Sequence, residues 1–321
     1  MTARAGLFDA GHRAAFRLFN GFTEGCPDLV VDLYANTLVL YNYADPAAPG
    51  AELAAAVQPH LLARLPWVHA IVLKTRHGAG PDASRGVLVY GQTPDRQVLE
   101  QGVWYAIDLC MNLDASLYLD TRNLRAWALT HLRGKTVLNT FAYTGSLGVA
   151  AAAGGAARAV QLDRNPHFLE VAKASCSLNG LPVVAEDYLA RDFWPAISHL
   201  KRTHARFDCV IVDPPVFAAT HSGTVDQANN CTRVINKVRP LIADGGYLVA
   251  VNNALFLSGQ AYMHELETLC ADGYLAVTEL IPVPADFTGY PETRVGLPIT
   301  DPAPFNHATK ITVLRVRRKI P

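Results

Sequence analysis

The sequence predicts an α/β fold in which a doubly wound, largely parallel sheet follows a smaller α+β domain. From about Leu117 onward, short apolar runs alternate with helical patterns. This β-α-β repetition is typical of parallel sheets with helices on both faces. Half of the 321 residues are hydrophobic and only 17% are charged, so the chain is large and apolar enough for two cores. We place the domains at residues 1–115 and 116–321.

The first domain is predicted to combine a sheet with a helix. The Ala35-Asn36 pair lies between two apolar runs and predicts a hairpin turn. A helical pattern over residues 51–65 stops before Pro66. The predicted strands cover residues 28–34, 37–43, 70–74, 86–91 and 103–109. A loop between the third and fourth of these strands carries Lys74, Arg76 and Arg85.

The second domain is predicted to alternate strands with helices. Asn179-Gly180 is a good stop signal for the helix that precedes it. The predicted helices cover residues 124–132, 146–154, 167–178, 225–241 and 261–269. The predicted strands cover residues 136–139, 159–163, 183–187, 209–213, 247–251, 275–283 and 311–316.

Composition narrows the class of protein. The formal net charge is +0 and the pI is about 7.2. The overall charge therefore does not indicate a nucleic-acid partner, although a local basic patch is compatible with a neutral chain. The six cysteines are dispersed without a C-x-x-C pair, which is typical of reduced thiols in a cytosolic protein. The N-terminus lacks a signal-peptide core, and the apolar run 147–160 resembles a buried helix. We therefore expect a cytoplasmic protein with neither a metal site nor a membrane partner.

The run Asp213-Pro214-Pro215-Val216-Phe217 is the most informative motif. It follows the apolar run 207–212, which predicts a buried strand. Two prolines fix φ and remove two backbone donors, so the loop is stiff and its carbonyls stay available. Open α/β sheets bind ligands at the carboxyl ends of their strands. The motif thus predicts a reaction site there, with a rigid packing loop as the plainer alternative.

Other predicted strands also end in polar residues. After the first, Asn139 to Ser146 leads into a helix whose amides can receive a carboxylate, and Gly145 allows close approach. Asp163 can accept a ribose diol, and Asp187 with Tyr188 suits an adenine amino group and ring. Helix capping is the plainer interpretation of several of these residues. Because G-x-G-x-x-G is absent, S-adenosylmethionine fits the set better than NAD.

The combination resembles the bacterial 23S rRNA methyltransferases of the DPPxF type, which make 5-methylcytidine or 7-methylguanosine. The resemblance covers the whole second domain and, in the first, Arg17 to Gly21 and Leu29 to Tyr34. It rests on the following runs and residues: Leu117 to Arg122, Val137 to Gly145, Asp163, Asn179-Gly180, Asp187 and Asp213 to Phe217. It implies a Rossmann-like class I methyltransferase fold, S-adenosylmethionine as cofactor and ribosomal RNA as partner.

The resemblance also implies roles for individual residues. Asp163 would hold the ribose, and Asp187 with Tyr188 the adenine. The methyl-transfer site would be lined by Asp213, Pro214, Pro215 and Phe217. The methionine half of the cofactor would be held by Tyr118, Arg122, Asn139, Phe141, Tyr143, Thr144 and Gly145.

The chain departs from the 5-methylcytidine members at the position of their nucleophile. Those members carry a Ser-Cys-Ser run where this chain has Val251-Asn252-Asn253-Ala254, and attack on pyrimidine C6 requires a covalent nucleophile. The 7-methylguanosine members carry Asn-Asn here, so we expect Asn252 in catalysis and Asn253 on the substrate, both at the edge of the pocket. We expect no PUA RNA-binding domain of the kind found in the 5-methylcytidine members within these 321 residues. Lys74, Arg76, Arg85 and the tail 315–319 are the predicted RNA contacts.

The leading hypothesis is methyl transfer from S-adenosylmethionine to a base nitrogen of ribosomal RNA, similar to guanine N7. Methylation of a small molecule or protein, and cysteine-dependent 5-methylcytidine formation, are the alternatives within enzymes. A binding protein that retains only the fold is a further alternative, against which the intact strand-end motifs argue. An NAD-dependent dehydrogenase is the rival of another class, and the missing glycine motif argues against it.

Overall fold

The computed structural model describes residues 1–78, 80, 83 and 85–318. The chain divides into two compact units, Met1–Asp120 with Pro284–Leu297, and Thr121–Val283 with Pro298–Pro321. The sequence pattern places a boundary at residues 115/116 and does not predict that a late segment returns to the first unit.

The first unit contains a five-stranded sheet in the order β1-β2-β3-β4-β5 and a separate β6-β7 hairpin. Tyr34 pairs with Thr37 across the β2-β3 connection, so the hairpin turn predicted at Ala35-Asn36 is confirmed. The strands are β1 Ala15–Asn20, β2 Leu29–Tyr34, β3 Thr37–Asn42, β4 Ala70–Thr75, β5 Val87–Tyr90, β6 Gln97–Glu100 and β7 Val103–Ala106. The helices are α1 Gly21–Glu24 and α2 Ala47–Arg64.

Hydrogen bonds join the late segment 284–297 to this unit. The backbone amide of Arg17 donates to the buried Asp286 carboxylate at 2.9 Å. The Asn20 side-chain amide donates to the Phe287 carbonyl at 2.7 Å. The guanidinium of Arg17 lies 3.9 Å from the Phe287 ring centroid and also pairs with the Asp32 carboxylate at 2.8 Å. Buried polar groups are therefore partnered across a large sequence separation.

The second unit contains a seven-stranded sheet in the order β10-β9-β8-β11-β14-β16-β15. The first five strands are parallel neighbours, whereas β16 and β15 run antiparallel. The predicted doubly wound, largely parallel α/β sheet is confirmed. The strands are β8 Thr136–Thr140, β9 Arg158–Asp163, β10 Tyr188–Ala190, β11 Phe207–Val212, β14 Ile242–Asn252, β15 Leu275–Ile281 and β16 Lys310–Val316.

Helices and one hairpin connect the strands of this sheet. The hairpin consists of β12 Phe217–Thr220 and β13 Gly223–Asp226, and it follows β11 directly. The helices are α3 Arg122–His131, α4 Ser146–Ala153, α5 Pro166–Leu178, α6 Phe193–Arg202, α7 Cys231–Val238 and α8 Gly259–Cys270; a further one, α9 Ala285–Thr288, belongs to the first unit. Central strand residues such as Val210, Leu248 and Val249 are fully buried, as expected for a sheet covered on both faces.

Two predicted elements of the second domain are wrong. Residues 183–187 do not form a strand, since Val183 and Val184 are exposed and a 3-10 turn covers Ala185–Asp187 before β10. Residues 225–241 do not form one helix, because the Asp226 carboxylate accepts from the Ala228 and Asn229 amides and ends the strand there. The helix begins only at Cys231.

Within the described part of the chain, no helix combines the length and the apolar character that a membrane crossing requires. The same residues contain no group of three or more His, Cys, Asp and Glu side chains placed to hold a metal ion.

Candidate active site

The carboxyl ends of β10, β9, β8, β11 and β14 form one edge of the second unit's sheet. These strands are consecutive parallel neighbours, so the residues that follow them lie side by side. The residues that follow β8, β9, β11 and β14 therefore share this edge, whereas Asp187 precedes β10 and Tyr188 is its first residue, so neither lies at the carboxyl end of that strand.

The loop after β8 has an unusual backbone. Phe141, Tyr143 and Gly145 have φ values of 55°, 50° and 75°, so two non-glycine residues lie in the left-handed region. Such conformations are costly and persist only where surrounding contacts hold them. The Ala142 amide donates to the Leu162 carbonyl at 2.9 Å, and the Tyr143 amide to the Asp163 carboxylate at 2.8 Å. These bonds fix the loop against β9.

Gly145 immediately precedes α4, at a position where no residue with a side chain fits. A Cβ on it would lie 2.4 Å from the Cβ of Ala172, and its φ is positive. The loop and the first turn of α4 therefore present closely spaced backbone amides at the strand edge. This is a common arrangement for binding a carboxylate or another anion. The neighbouring Thr144 is buried.

Asn139 lies beneath this loop and does not open toward it. Its side chain is 1% exposed, and its Nδ2 donates to Gln161 Oε1 at 2.9 Å. Gln161 Nε2 in turn donates to the Gly145 carbonyl at 3.3 Å. The predicted contact between Asn139 and a cofactor stays a prediction; the side chain is buried in β8, and its Oδ1 has no hydrogen-bond partner among the described residues. Gln161 is the residue that links it to the loop.

Asp163 ends β9 and is partly buried. Its Oδ2 accepts from the Tyr143 amide and its Oδ1 from the Asn165 amide, both at 2.8 Å. Burial raises the pKa of this carboxyl, although the hydrogen bonds from the backbone amides oppose the change. Each carboxylate oxygen can accept more than one bond. The group can thus hold its loop and still receive the hydroxyls of a ligand.

Asp187 and Tyr188 lie at the start of β10. The Asp187 carboxylate accepts from the Arg158 guanidinium at 2.6 Å, through its Oδ1. The Tyr188 hydroxyl donates to Cys176 Sγ at 3.3 Å, and Lys173 lies 5.3 Å from its ring centroid. The tyrosine ring is therefore packed against α5. The sequence did not predict the Arg158 partner of Asp187.

The loop after β11 contains both buried and open residues. Pro214 is buried and Asp213 partly so, whereas Pro215 is exposed and Phe217 is 63% exposed. The carbonyl of Val216 accepts from the Gln227 amide at 2.8 Å. The hairpin β12-β13 is thereby closed onto the proline loop, and Phe217 presents an open aromatic ring beside it.

Asn252 and Asn253 follow β14 but differ in environment. Asn252 is fully buried; its Nδ2 donates to the Gln227 carbonyl at 2.9 Å, and its Oδ1 accepts from the Ala254 amide at 3.0 Å. The prediction that Asn252 lies open at the pocket edge is therefore wrong, because its polar atoms hold the hairpin in place. Asn253 is only partly buried, and its Oδ1 has no hydrogen-bond partner among the described residues.

Lys310 anchors the segment after β14 from below. Its ammonium is fully buried and donates to the carbonyl oxygens of Ala254, at 3.0 Å, and of Ala308. Burial lowers the pKa of this lysine to about 8. Beyond Ala254 the chain exposes Phe256, whose side chain is 79% accessible. Sequence reasoning missed Lys310. A lysine within an otherwise apolar strand is the sequence feature that could have indicated its buried role.

Two cysteines of the second unit near the strand edge, Cys209 and Cys231, are shielded. Cys231 begins α7 and is 7% exposed; burial raises the pKa of its thiol to about 11. Cys209 lies inside β11, and burial likewise raises its pKa. A nucleophilic cysteine needs the thiolate form, which burial disfavours. Neither environment resembles that of a reactive thiol.

The structure corrects the predicted RNA contacts of the first unit. Lys74 is fully buried, and its ammonium donates to the carbonyl oxygens of Arg85, Asn112 and Asp114 at 2.9, 2.6 and 3.2 Å. Arg76 pairs with Asp114 at 3.1 Å and is only partly buried. Lys74 therefore does not face solvent, Arg76 does so in part, and Arg85 is exposed.

Three further predicted site residues lie in different environments. Tyr118 is exposed and its hydroxyl donates to Asp114 at 2.7 Å, while Arg122 begins α3. In the tail, Arg315 lies 4.3 Å from the Tyr247 ring centroid, so it packs on the protein. The predicted contact at residue 319 lies outside the described residues.

Sequence comparison gives a match over most of the chain. The family model described as S-adenosylmethionine-dependent methyltransferase matches residues 17–293. YwbD of Bacillus subtilis (strain 168), provisionally named a ribosomal RNA large subunit methyltransferase, is 31% identical over 255 residues. The aligned part covers 78% of this chain and 64% of YwbD, so this chain spans under two thirds of that relative. Ribosomal RNA large subunit methyltransferase I of Aeromonas hydrophila is 27% identical over 90% of this chain and 75% of its own.

Structural comparison agrees on the fold. SMU.776, provisionally described as a methyltransferase and crystallised with SAH, superposes with a TM-score of 0.84 at 22% identity. The superposition covers 98% of this chain and 78% of that one. At this identity the likeness shows a shared fold only.

Proposed function

This chain belongs to the S-adenosylmethionine-dependent methyltransferase family, and from that premise we propose that it methylates a base nitrogen, similar to guanine N7, in large-subunit ribosomal RNA. The observation that carries the proposal is the common strand edge. It places a fixed amide-rich loop, a partly buried carboxylate and the Asp213-Pro214-Pro215 loop next to one another. The Rossmann-like class I methyltransferase fold matches the family.

The strand edge fits S-adenosylmethionine. We assign the ribose diol to Asp163, whose oxygens retain acceptor capacity beside the Tyr143 and Asn165 amides. We assign the methionine carboxylate to the amides of the first turn of α4, because the Ala142, Tyr143 and Gly145 amides already donate within the protein. Asp187 and Tyr188, the residues predicted to bind adenine, lie at the start of β10, and Asp187 already pairs with Arg158, so the strand edge does not support that assignment. When bound, S-adenosylmethionine supplies an electrophilic methyl group on a sulfonium.

The protein's contribution to the transfer is positioning. Guanine N7 is already nucleophilic and loses no proton on attack, so alignment of the acceptor is the main requirement. Phe217 offers an open ring on which a base can stack, and the rigid loop at Pro214 and Pro215 lies directly before it. The Asn253 amide oxygen is itself buried and has no hydrogen-bond partner among the described residues, so a contact with the purine edge would require this side chain to turn outward.

The choice of nitrogen over cytosine C5 rests on the thiols. Attack at C6 would require a thiolate at the acceptor, and Val251-Asn252-Asn253-Ala254 supplies none. Cys231 on α7 is buried with a raised pKa. The names of YwbD and of methyltransferase I support ribosomal RNA as the substrate class.

The proposal is tested by incubating the purified protein with methyl-labelled S-adenosylmethionine and unmodified large-subunit ribosomal RNA made by transcription. Nucleosides from the digested RNA are then separated by mass spectrometry. We expect label in a methylated purine, with small molecules and bulk protein unlabelled. Label in protein or a small metabolite, with none in RNA, contradicts the proposal.

A further inference from the structure

The second unit contains a hollow between α6 and α7, which we call the Trp194 groove. Its volume is about 590 Å³. The residues of its lining that matter here are Trp194, Ser198, Lys201, Arg233, Asn236 and Lys237. None of the residues that line it is acidic.

Three positive side chains converge on this groove. Lys237 Nζ donates to Ser198 Oγ at 2.9 Å, which aims the ammonium at the wall of the groove. Burial together with the charge of Lys237 lowers the pKa of Lys201. Throughout residues 1–78, 80, 83 and 85–318, no carboxylate pairs with Lys201, Arg233 or Lys237. Like charges held close together without a counterion favour an anionic ligand.

An indole ring underlies two of these charges. The Arg233 guanidinium lies 4.6 Å and the Lys237 ammonium 5.8 Å from the Trp194 ring centroid. Cation–π contacts of this kind orient the side chains while leaving their N–H groups available for acceptors. Trp194 itself is 8% exposed and belongs to the main core, so the floor of the groove is rigid.

The groove adjoins the proposed methyl-transfer loop. The hairpin β12-β13 starts directly after the proline loop, and its turn reaches the groove at Ser222. A Cβ on the next residue, Gly223, would lie 2.6 Å from Trp194 Nε1, so turn and ring are in tight contact. The hairpin therefore links Phe217, at its start, to a turn that lies at the groove.

We propose that the Trp194 groove binds the phosphate backbone of the RNA next to the acceptor nucleotide. Guanidinium, ammonium, hydroxyl and amide groups form a donor set suited to phosphate oxygens. Three of the eight residues that line the groove are cationic and none is acidic, which favours a polyanion over a protein partner. The inference rests on the proposed function, because it takes RNA as the substrate.

The test uses the double variant Arg233→Gln/Lys237→Gln. Its matched control is Arg133→Gln/Lys135→Gln, which removes the same charges from the turn before β8 at the other edge of the sheet. The dissociation constant of a fluorescein-labelled single-stranded RNA is measured at several salt concentrations. Affinity should fall about tenfold in the groove variant, and the plot of log K against log salt should become shallower by about 0.7 for each lost contact. The control should match the wild type.

Two further measurements separate the possible failures. Calorimetric titration should give the same S-adenosylmethionine affinity for the wild type and both variants, and circular dichroism checks that all three fold alike. If the wild type binds RNA but the groove variant keeps its affinity and salt slope, the groove assignment is wrong and the proposed function stands. If the wild type neither binds nor methylates RNA, both proposals fail.

Discussion

Asp163 has two tasks in our account, since it holds the neighbouring loop and accepts the ribose hydroxyls. Its oxygens already bind the amides of Tyr143 and Asn165. Replacing Asp163 with Ala should weaken S-adenosylmethionine binding about 10- to 100-fold, since a charge-assisted hydrogen bond contributes roughly 1.5–3 kcal/mol. Isothermal titration calorimetry measures the affinity. Wild-type affinity in a folded Asp163→Ala protein would remove the ribose assignment.

The same carboxyl predicts a pH dependence. Burial raises the pKa of Asp163, and only the ionised form can accept from both the backbone amides and a diol. As the pH falls through this raised pKa, the folded protein takes up a proton, so affinity for S-adenosylmethionine should fall toward acid pH. Titrations of the wild type across acid pH should show this loss, whereas Asp163→Asn should bind weakly with a flatter pH profile. Parallel profiles for the two proteins would contradict this origin.

At the scale of elements, the loop before α4 depends on Gly145. Its φ is 75°, and a Cβ would meet the Cβ of Ala172 at 2.4 Å. We expect Gly145→Ala to destabilise the protein by about 1–3 kcal/mol and to weaken cofactor binding. Gly180→Ala is the matched control, because Gly180 also has a positive φ of 64° but open space around it. Chemical denaturation should show the larger loss for Gly145→Ala; equal losses would mean that the contact with Ala172 is unimportant.

The hairpin after β11 depends on Gln227. Its amide bonds the Val216 carbonyl, and its side chain bonds the Asn252 amide and the Val251 carbonyl, each at 3.2 Å. Gln227→Ala keeps the backbone bonds to Val216 and Asn252 but removes both side-chain bonds to the end of β14. We expect kcat to fall at least tenfold with little change in S-adenosylmethionine affinity, because acceptor alignment is lost. An equal loss in both quantities would place Gln227 in cofactor binding.

At the scale of the whole molecule, much of the fold follows from sequence patterns. The strands β8, β9, β11 and β14 are apolar runs of strand length, and the Rossmann-like order brings their ends together. The apolar run at residues 183–187 led to a wrong strand prediction, because its apolar residues are exposed in the structure. The Arg17 amide bonds the Asp286 carboxylate although the two residues are far apart in the sequence. No local sequence pattern predicts such a contact.

The roles of site residues were harder to predict where they depend on whether the side chain is buried. Lys74 and Asn252 look like surface groups in the sequence, yet each is fully buried and bonded to carbonyl oxygens. The neutral net charge likewise concealed the Trp194 groove, since its cations lie on separate helices and meet only in the folded chain. Gln161 and Gln227 can be noticed in the sequence only as polar residues beside an apolar strand or a motif, which is a weak indication of their roles.

The most direct test of the central claim combines substrate and chemistry in one assay. A variant with all six cysteines replaced by Ser or Ala is first checked for folding. It is then incubated beside the wild type with methyl-labelled S-adenosylmethionine and unmodified large-subunit ribosomal RNA, followed by nucleoside mass spectrometry. Our account predicts labelled 7-methylguanosine from both proteins. Labelled 5-methylcytidine from the wild type, lost in the variant and restored by Cys231 alone, would contradict it.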